Sequence, residues 1–190
     1  MMVVDDSDQE LLDLVDASDQ VVGTILRGQA TTPGGLPKDH YIRAANCFIM
    51  NAKQQLWIPR RTTHKKIAPG GLDYSAGGHV TSGQSYEEAM RQELVEEVNL
   101  HLDPKQLIEI GLETPFNTPP YIYFAKIFLY LSDEAPDYNP DDFTGFEWLS
   151  VEELQQKLRN GVSAKDSLLA ATESVSAYLR QHEGDKQRDK

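Results

Sequence analysis

Glu93, Glu96 and Glu97 stand at positions i, i+3 and i+4 of a stretch rich in helix formers. On a helix this spacing gathers three carboxylates along one side. Two like charges roughly 5 Å apart repel by on the order of 3 kcal/mol at an effective dielectric near 20. A wheel at about 100° per residue puts Glu93 and Glu97 in the same arc as Tyr86, Ala89 and Met90, with Glu88 and Gln92 nearly opposite. A solvated acidic face would lie on that opposite side. Carboxylates bordering a buried face call for a cation, and an oxygen-only donor set suits Mg²⁺ or Mn²⁺. Spacing alone leaves both a metal site and an acidic surface open.

Two neighbouring features bear on that choice. Gly77-Gly78 precede the carboxylates, and adjacent glycines let backbone come close to a metal or phosphate, though they also make ordinary turns. Arg60, Arg61, His64, Lys65 and Lys66 cluster in a chain whose 18 Lys and Arg face 30 Asp and Glu, a net charge of −12. That balance disfavours nucleic-acid polymers and anionic membranes, which need broad positive surfaces. A local cation cluster fits a small phosphorylated ligand; the plainer reading is an exposed loop that aids solubility.

With these residues in place, the run Gly78-x5-Gln84-x7-Gln92-Glu93-Leu94-x-Glu96-Glu97-x-Asn99-Leu100 resembles the Nudix box, G-x5-E-x7-R-E-U-x-E-E-x-G-U, where U is aliphatic. The resemblance implies that Glu93, Glu96 and Glu97 bind a divalent metal with help from the Gly77 carbonyl, Glu93 being the first candidate for the base. It also implies an α/β/α sandwich around a mixed sheet. Three positions depart: Gln84 for Glu, Gln92 for Arg and Asn99 for Gly. The family's Glu and Arg are thought to pair, so losing both charges leaves an amide pair rather than one orphaned charge.

The surrounding chain is similar to the Nudix branch that holds type 1 isopentenyl-diphosphate isomerase and its hydrolytic relatives. The similarity runs through Asp13-Leu-Val-Asp16, Trp57-Ile-Pro-Arg-Arg61, Lys65-Lys66, Gly77-Gly78-His79, Asn139-Pro-Asp-Asp142 and Glu147-Trp148-Leu149. It implies that Arg61 and Lys65, with Arg60 less firmly placed, approach the substrate diphosphate. Isomerase chemistry needs a cysteine beside the metal, whereas the matching strand end reads Ser75-Ala76-Gly77-Gly78-His79. Cys47 lies in another strand and reads as a small buried residue. His79 reads as a loop residue standing behind the metal ligands. Tyr74, Tyr121 and Tyr123 could stack on a base, but strand aromatics are more often core.

The elements that must position these groups follow from local pattern. Ser85 to Val98 is a helix opened by a capping box, Ser85 with Glu88, and closed at Asn99. Strands are expected at Leu11 to Val15, Val21 to Leu26, Tyr41 to Met50, Gln55 to Pro59, Leu72 to Ala76, Ile108 to Leu112, Tyr121 to Leu131 and Gly145 to Leu149. Helices are expected at Val151 to Arg159, capped by Ser150, and at Ala164 to Gln181. The fold class is therefore α/β, an α/β/α sandwich with an N-terminal β-hairpin extension and C-terminal helices. Residues 10–182 form one domain, with the hairpin at about 10–27, and 1–9 and 183–190 are flexible tails. No apolar run spans a bilayer and the acidic start, Met1 to Glu10, is no secretory signal, so the expected location is cytoplasmic.

The expected activity is metal-dependent hydrolysis of a phosphoanhydride bond in a small diphosphate, a nucleoside diphosphate or one linked to another group. The alternatives are isopentenyl-diphosphate isomerisation and a non-catalytic diphosphate-binding Nudix module. A homodimer is compatible with the sequence.

Overall fold

The computed structural model describes residues 6–117 and 121–186. Its centre is a strand, β3 (Ile42–Met50), buried along nearly its whole length. Such a continuous apolar run is what a strand covered on both faces requires. β3 runs parallel to β7 (Tyr123–Leu131), with Ile42 opposite Tyr123 and Met50 opposite Leu131. β7 pairs antiparallel with β6 (Ile108–Glu113), and β4 (Gln55–Arg61) pairs antiparallel with β8 (Phe143–Ser150). The mixed sheet has the order β6-β7-β3-β4-β8, and a further strand, β5 (Ala76–His79), pairs with β3 alone.

On its second edge β3 therefore serves two partners. Its first half, Ala44 to Cys47, pairs with β5, and its end meets β4 at Met50–Leu56. Between these contacts the Ser75 hydroxyl accepts the Ile49 N–H at 2.8 Å and donates to the Trp57 carbonyl at 2.6 Å. Ser75 has no exposed surface, so one side chain satisfies the two backbone groups that the diverging strands leave behind.

Strand alternation assigns each face a helix layer. Ala45, Cys47 and Ile49 pack against α2 (Tyr86–Val98) through its Tyr86, Ala89, Met90, Leu94 and Val98. Phe48 and Met50 face the other way, onto α3 (Val151–Arg159) and α4 (Leu168–Lys186), with Leu154, Leu168, Ala171 and Val175. The hairpin β1 (Leu11–Val15) and β2 (Val21–Leu26) continues into the short helix α1 (Arg27–Ala30). Leu12, Ile25 and Ala30 cover Ile42, and bridges Val15–Tyr41 and Leu12–Thr81 tie the hairpin to the sheet.

The layered architecture matches the sequence expectation, and three details differ. The strand expected at Leu72 to Ala76 lies at Ala76–His79, with Leu72 making only isolated bridges. The glycine pair itself is extended in its ladder with β3, and its missing side chains leave room for Asn46 and Glu93. α4 starts at Leu168 rather than Ala164, whose neighbour Lys165 donates its N–H to Leu72 instead of opening a helix. Within the expected N-terminal tail, Asp6–Gln9 form a 3-10 turn, and α4 continues through Lys186 into the other expected tail. Residues 1–5 and 187–190 of those stretches lie outside the described residues.

Candidate active site

The carboxylate helix is held at both ends. Ser85 accepts the Glu88 N–H and Glu88 accepts the Ser85 N–H, at 3.2 and 2.8 Å, which completes the capping box. Asn99 closes the helix in the left-handed region with φ of 54°, and the Asn139 N–H donates to the Glu97 carbonyl at 2.8 Å. On the other side, Asp13 of the hairpin accepts from the Ser82 hydroxyl at 2.8 Å and the Gly83 N–H at 3.3 Å. The loop between β5 and α2 is thus pinned by a residue from β1.

Glu93 and Glu97 lie against β5, while Glu96 is exposed. Glu97 accepts the Gly77 N–H at 2.9 Å. A Cβ on Gly78 would stand 2.1 Å from a Glu93 oxygen, and one on Gly77 would stand 2.3 Å from the Asn46 amide oxygen. The glycines are needed because the carboxylate and the amide occupy the places their side chains would take. Burial, then Glu96, pushes the Glu93 carboxyl up to about 7. Burial, then Glu93 and Asp73, raises Glu97 well above the usual carboxylate range, against Lys165 and the Gly77 N–H. Neither carboxylate has an ion-pair partner among the described residues.

Among the described residues no group of three or more His, Cys, Asp or Glu is already placed to hold a metal ion. What the donor set does fit is a hard divalent ion, since it offers oxygens alone, desolvated and without an ion-pair partner among the described residues.

A NUDIX domain model matches residues 40–171. The chain belongs to the Nudix family. A Nudix hydrolase of Deinococcus radiodurans is 41% identical over 159 residues, covering 84% of this chain and 90% of the relative. A crystal structure of a D. radiodurans protein superposes with a TM-score of 0.77 at 40% identity, over 86% of this chain and 98% of that one. An isopentenyl-diphosphate Delta-isomerase of Photorhabdus laumondii is 26% identical over 150 residues, 77% of this chain and 83% of the relative. The protein is a Nudix hydrolase; such enzymes generally use divalent metals and act on small molecules, nucleoside diphosphate derivatives among them. Among the described residues no helix is long and apolar enough to cross a membrane.

In this Nudix box two of the three departures from the family pattern meet. The Gln84 amide donates to the Gln92 oxygen at 2.7 Å, and Gln92 donates to Glu96 at 2.8 Å. An amide pair on the exposed side of α2 takes the place of an ion pair, and its far end orients Glu96.

The basic cluster is differently disposed. Arg61 is 7% exposed, its guanidinium bonded to Asp73 and, at 2.8 Å, to the Ile67 carbonyl. Lys65 pairs with Asp142, and Arg60 donates to the Gly70 carbonyl at 2.9 Å and lies 3.8 Å from Glu147. Two other cations have charges that act on Glu93 and on His79: Lys165, just before α4, and Arg27, at the start of α1. Lys165 lies 3.3 Å from Asp73, so Asp73 holds Arg61 and Lys165 together. Nothing local in sequence marks either cation. Lys165 sits in an irregular segment, and Arg27 is far along the chain from the box.

Burial, then Arg27 and Lys165, pushes His79 down to about 3, so its ring is neutral, with Nε2 3.2 Å from the Tyr123 hydroxyl. Cys47 is wholly buried in the α2-side core and its thiol is raised by burial, a packing residue. Tyr74 is core, tilted against Phe48 at 5.3 Å. Two surface clefts, one between β6 and α4 at Ile108 and Tyr178, the other at Lys53 and Arg180, contain none of these groups.

Proposed function

We propose that this Nudix hydrolase cleaves a phosphoanhydride bond in a small diphosphate, a nucleoside diphosphate or one linked to another group. Mg²⁺ or Mn²⁺ would be held by Glu93, Glu96, Glu97 and the Gly77 carbonyl. The observation that carries this reading is the pair of desolvated carboxylates, Glu93 and Glu97, laid on the Gly77-Gly78 backbone without an ion-pair partner among the described residues.

When bound, a divalent ion supplies Lewis acidity and makes water a stronger nucleophile. Glu93 then accepts the proton of the water that attacks phosphorus in line. The bond from phosphorus to the bridging oxygen breaks, and its electron pair leaves with the departing phosphate. Glu97, fixed by the Gly77 N–H, keeps its orientation through the step. Lys165 and Arg27, whose charges act on Glu93, would meet the developing phosphate charge on leaving their ion pairs with Asp73 and Glu10. Arg61 acts through Asp73, and Lys65 and Arg60 meet the outer phosphate oxygens when their acidic partners yield.

An isomerase would use a thiol beside the carboxylates, and the core position of Cys47 favours hydrolysis. The test is phosphate release from nucleoside diphosphates and nucleotide sugars with Mg²⁺ or Mn²⁺, in wild type and Glu97→Gln. Metal-dependent release lost in a folded Glu97→Gln protein is the expected result; full activity in that variant would refute the assignment.

A further inference from the structure

The turn that precedes β1 is attached to the fold by charge. Asp6–Gln9 read Asp-Ser-Asp-Gln, a 3-10 turn with no apolar side chain, and none of residues 7–10 is buried. Burial of apolar surface therefore does not dock it. The Arg27 N–H donates to the Glu10 carbonyl at 2.8 Å, and the Arg27 guanidinium donates to the Glu10 carboxylate at 3.0 Å. Asp8 lies against Gly28, where an added Cβ would stand 2.9 Å from the Asp8 Cβ. From there its carboxylate is 3.3 Å from the Lys66 ammonium, so the turn links α1 to the basic loop.

This link lies near the catalytic carboxylates. The Leu11 carbonyl accepts the Ser82 N–H at 2.8 Å and Leu12 bridges Thr81, so β1 starts beside the segment that leaves β5. The charges of Arg27 and Glu10 both act on Glu93, in opposite senses, and Arg27 acts on His79 as well. A cation whose field reaches Glu93 also reaches a phosphate placed beside it, and Glu10 offsets that field while the two stay paired. Lys66 directly follows Lys65 in the basic loop. Asp73, shared by Arg61 and Lys165, is 2% exposed, whereas the side chains of Glu10 and Asp8 are 28% and 37% exposed. Exposed pairs of this kind hold by a factor of about five or less each. A diphosphate brings more charge and more acceptor oxygens than one carboxylate, so it can displace them.

We propose that Asp8 and Glu10 act as an internal anion that occupies Lys66 and Arg27 before substrate binds and competes with the substrate's phosphates for them. On binding, the diphosphate takes over the two cations and the carboxylates return to water. The turn thereby sets a threshold of charge: an anion must outcompete two carboxylates already in place to gain these contacts. The ligand class, a small diphosphate, rests on the hydrolytic reading above.

The test is the binding of methylenediphosphonate, whose carbon bridge water does not cleave, to the full-length chain in Mg²⁺ by titration calorimetry. Removing any acid from a chain of net charge −12 favours anions slightly, so a control of equal charge is needed. Glu134→Gln serves, an exposed acid two residues beyond Ser132, which bonds Met50 at the far end of β3. Asp8→Asn and Glu10→Gln should each tighten the probe about threefold and the double variant about tenfold, with Glu134→Gln close to wild type. The gap should close towards about 1 M salt, which screens exposed pairs. Binding no tighter than in Glu134→Gln overturns the proposal, as does a gap that salt leaves unchanged, or a probe that binds neither wild type nor the double variant. These readouts need no turnover. A wild type that behaves as stated yet releases no phosphate from any diphosphate would refute hydrolysis and leave the internal anion standing. Asp8→Asn, at the more exposed pair, carries the test alone if Glu10→Gln does not fold.

Discussion

Replacing Gly78 by alanine should separate activity from stability. The added Cβ would stand 2.1 Å from one Glu93 oxygen and 2.4 Å from its carboxyl carbon, and contacts under 3.0 Å are essentially unknown. Glu93 must therefore recede by about 1 Å, a displacement that in a reacting geometry costs on the order of 100-fold in rate. The fold should absorb it, because the obstacle is the tip of a flexible side chain and Gly78 does not need a positive φ. Glycine to alanine in a compatible conformation stabilises by roughly 0.4–1 kcal/mol, which offsets the rotamer strain. Unfolding free energy should stay within about 1 kcal/mol of wild type while kcat falls about 100-fold or more. Denaturant unfolding and phosphate release on one preparation check both. Full activity would mean that Glu93 does not work from its place against β5; loss of the fold would mean that the close approach is structural.

Glu-for-Gln and Arg-for-Gln exchanges at Gln84 and Gln92 should couple, the double variant recovering much of what each single loses, with an interaction energy of about 0.5–3 kcal/mol; strictly additive effects in a double-mutant cycle would contradict the amide pair. Cys47→Ala should keep turnover within twofold and cost about 1 kcal/mol in denaturant unfolding, as a small core truncation does; lost turnover in a folded variant would revive a thiol mechanism. Lys165→Ala should raise KM for a diphosphate about tenfold or more, the equivalent of one charge-assisted contact of about 1.5–3 kcal/mol, and unchanged kinetics would remove Lys165 from the site. Glu113 holds its proton in the folded state up to about 7, against 4.5 unfolded, so its contribution is present below 4.5 and lost as pH rises through 7. Glu113→Gln should therefore melt higher than wild type above pH 7, with the gap closing towards pH 4; a gap independent of pH would show that Glu113 is not held protonated.

The box helix was legible in sequence because its signals are local. Ser85, Glu88 and Asn99 act within one turn of the helix ends, and the wheel placed Glu93 and Glu97 on the inward arc that β5 meets. The Gln84–Gln92 contact was legible for the same reason, being two turns along one helix and its entry loop. The strand at Ala76–His79 was misplaced because Gly77 and Gly78 signal a turn, whereas their pairing with β3, and the Asn46 and Glu93 side chains that take up their Cβ space, are distant in sequence. The basic cluster gave the composition of a phosphate site but not its wiring. Asp73 and Asp142, which engage Arg61 and Lys65, and Lys165, which also meets Asp73, come together only through tertiary packing. The burial of Glu113 carries no local signal at all, since an acid ending an edge strand ordinarily faces water.

The hydroxyl of Ser75 has a consequence for how the molecule tolerates change. It acts as a shim one atom thick, letting a single strand change neighbours halfway along its length. Methyl in its place would leave the Ile49 N–H and the Trp57 carbonyl both unbonded in a dry interior, and no water could repair the seam without prising the strands apart. The ledge on which Glu93 and Glu97 rest is the near side of that seam. Its alignment therefore hangs on a residue that touches neither carboxylate, and drift at this serine would be felt at the chemistry before it was felt as unfolding.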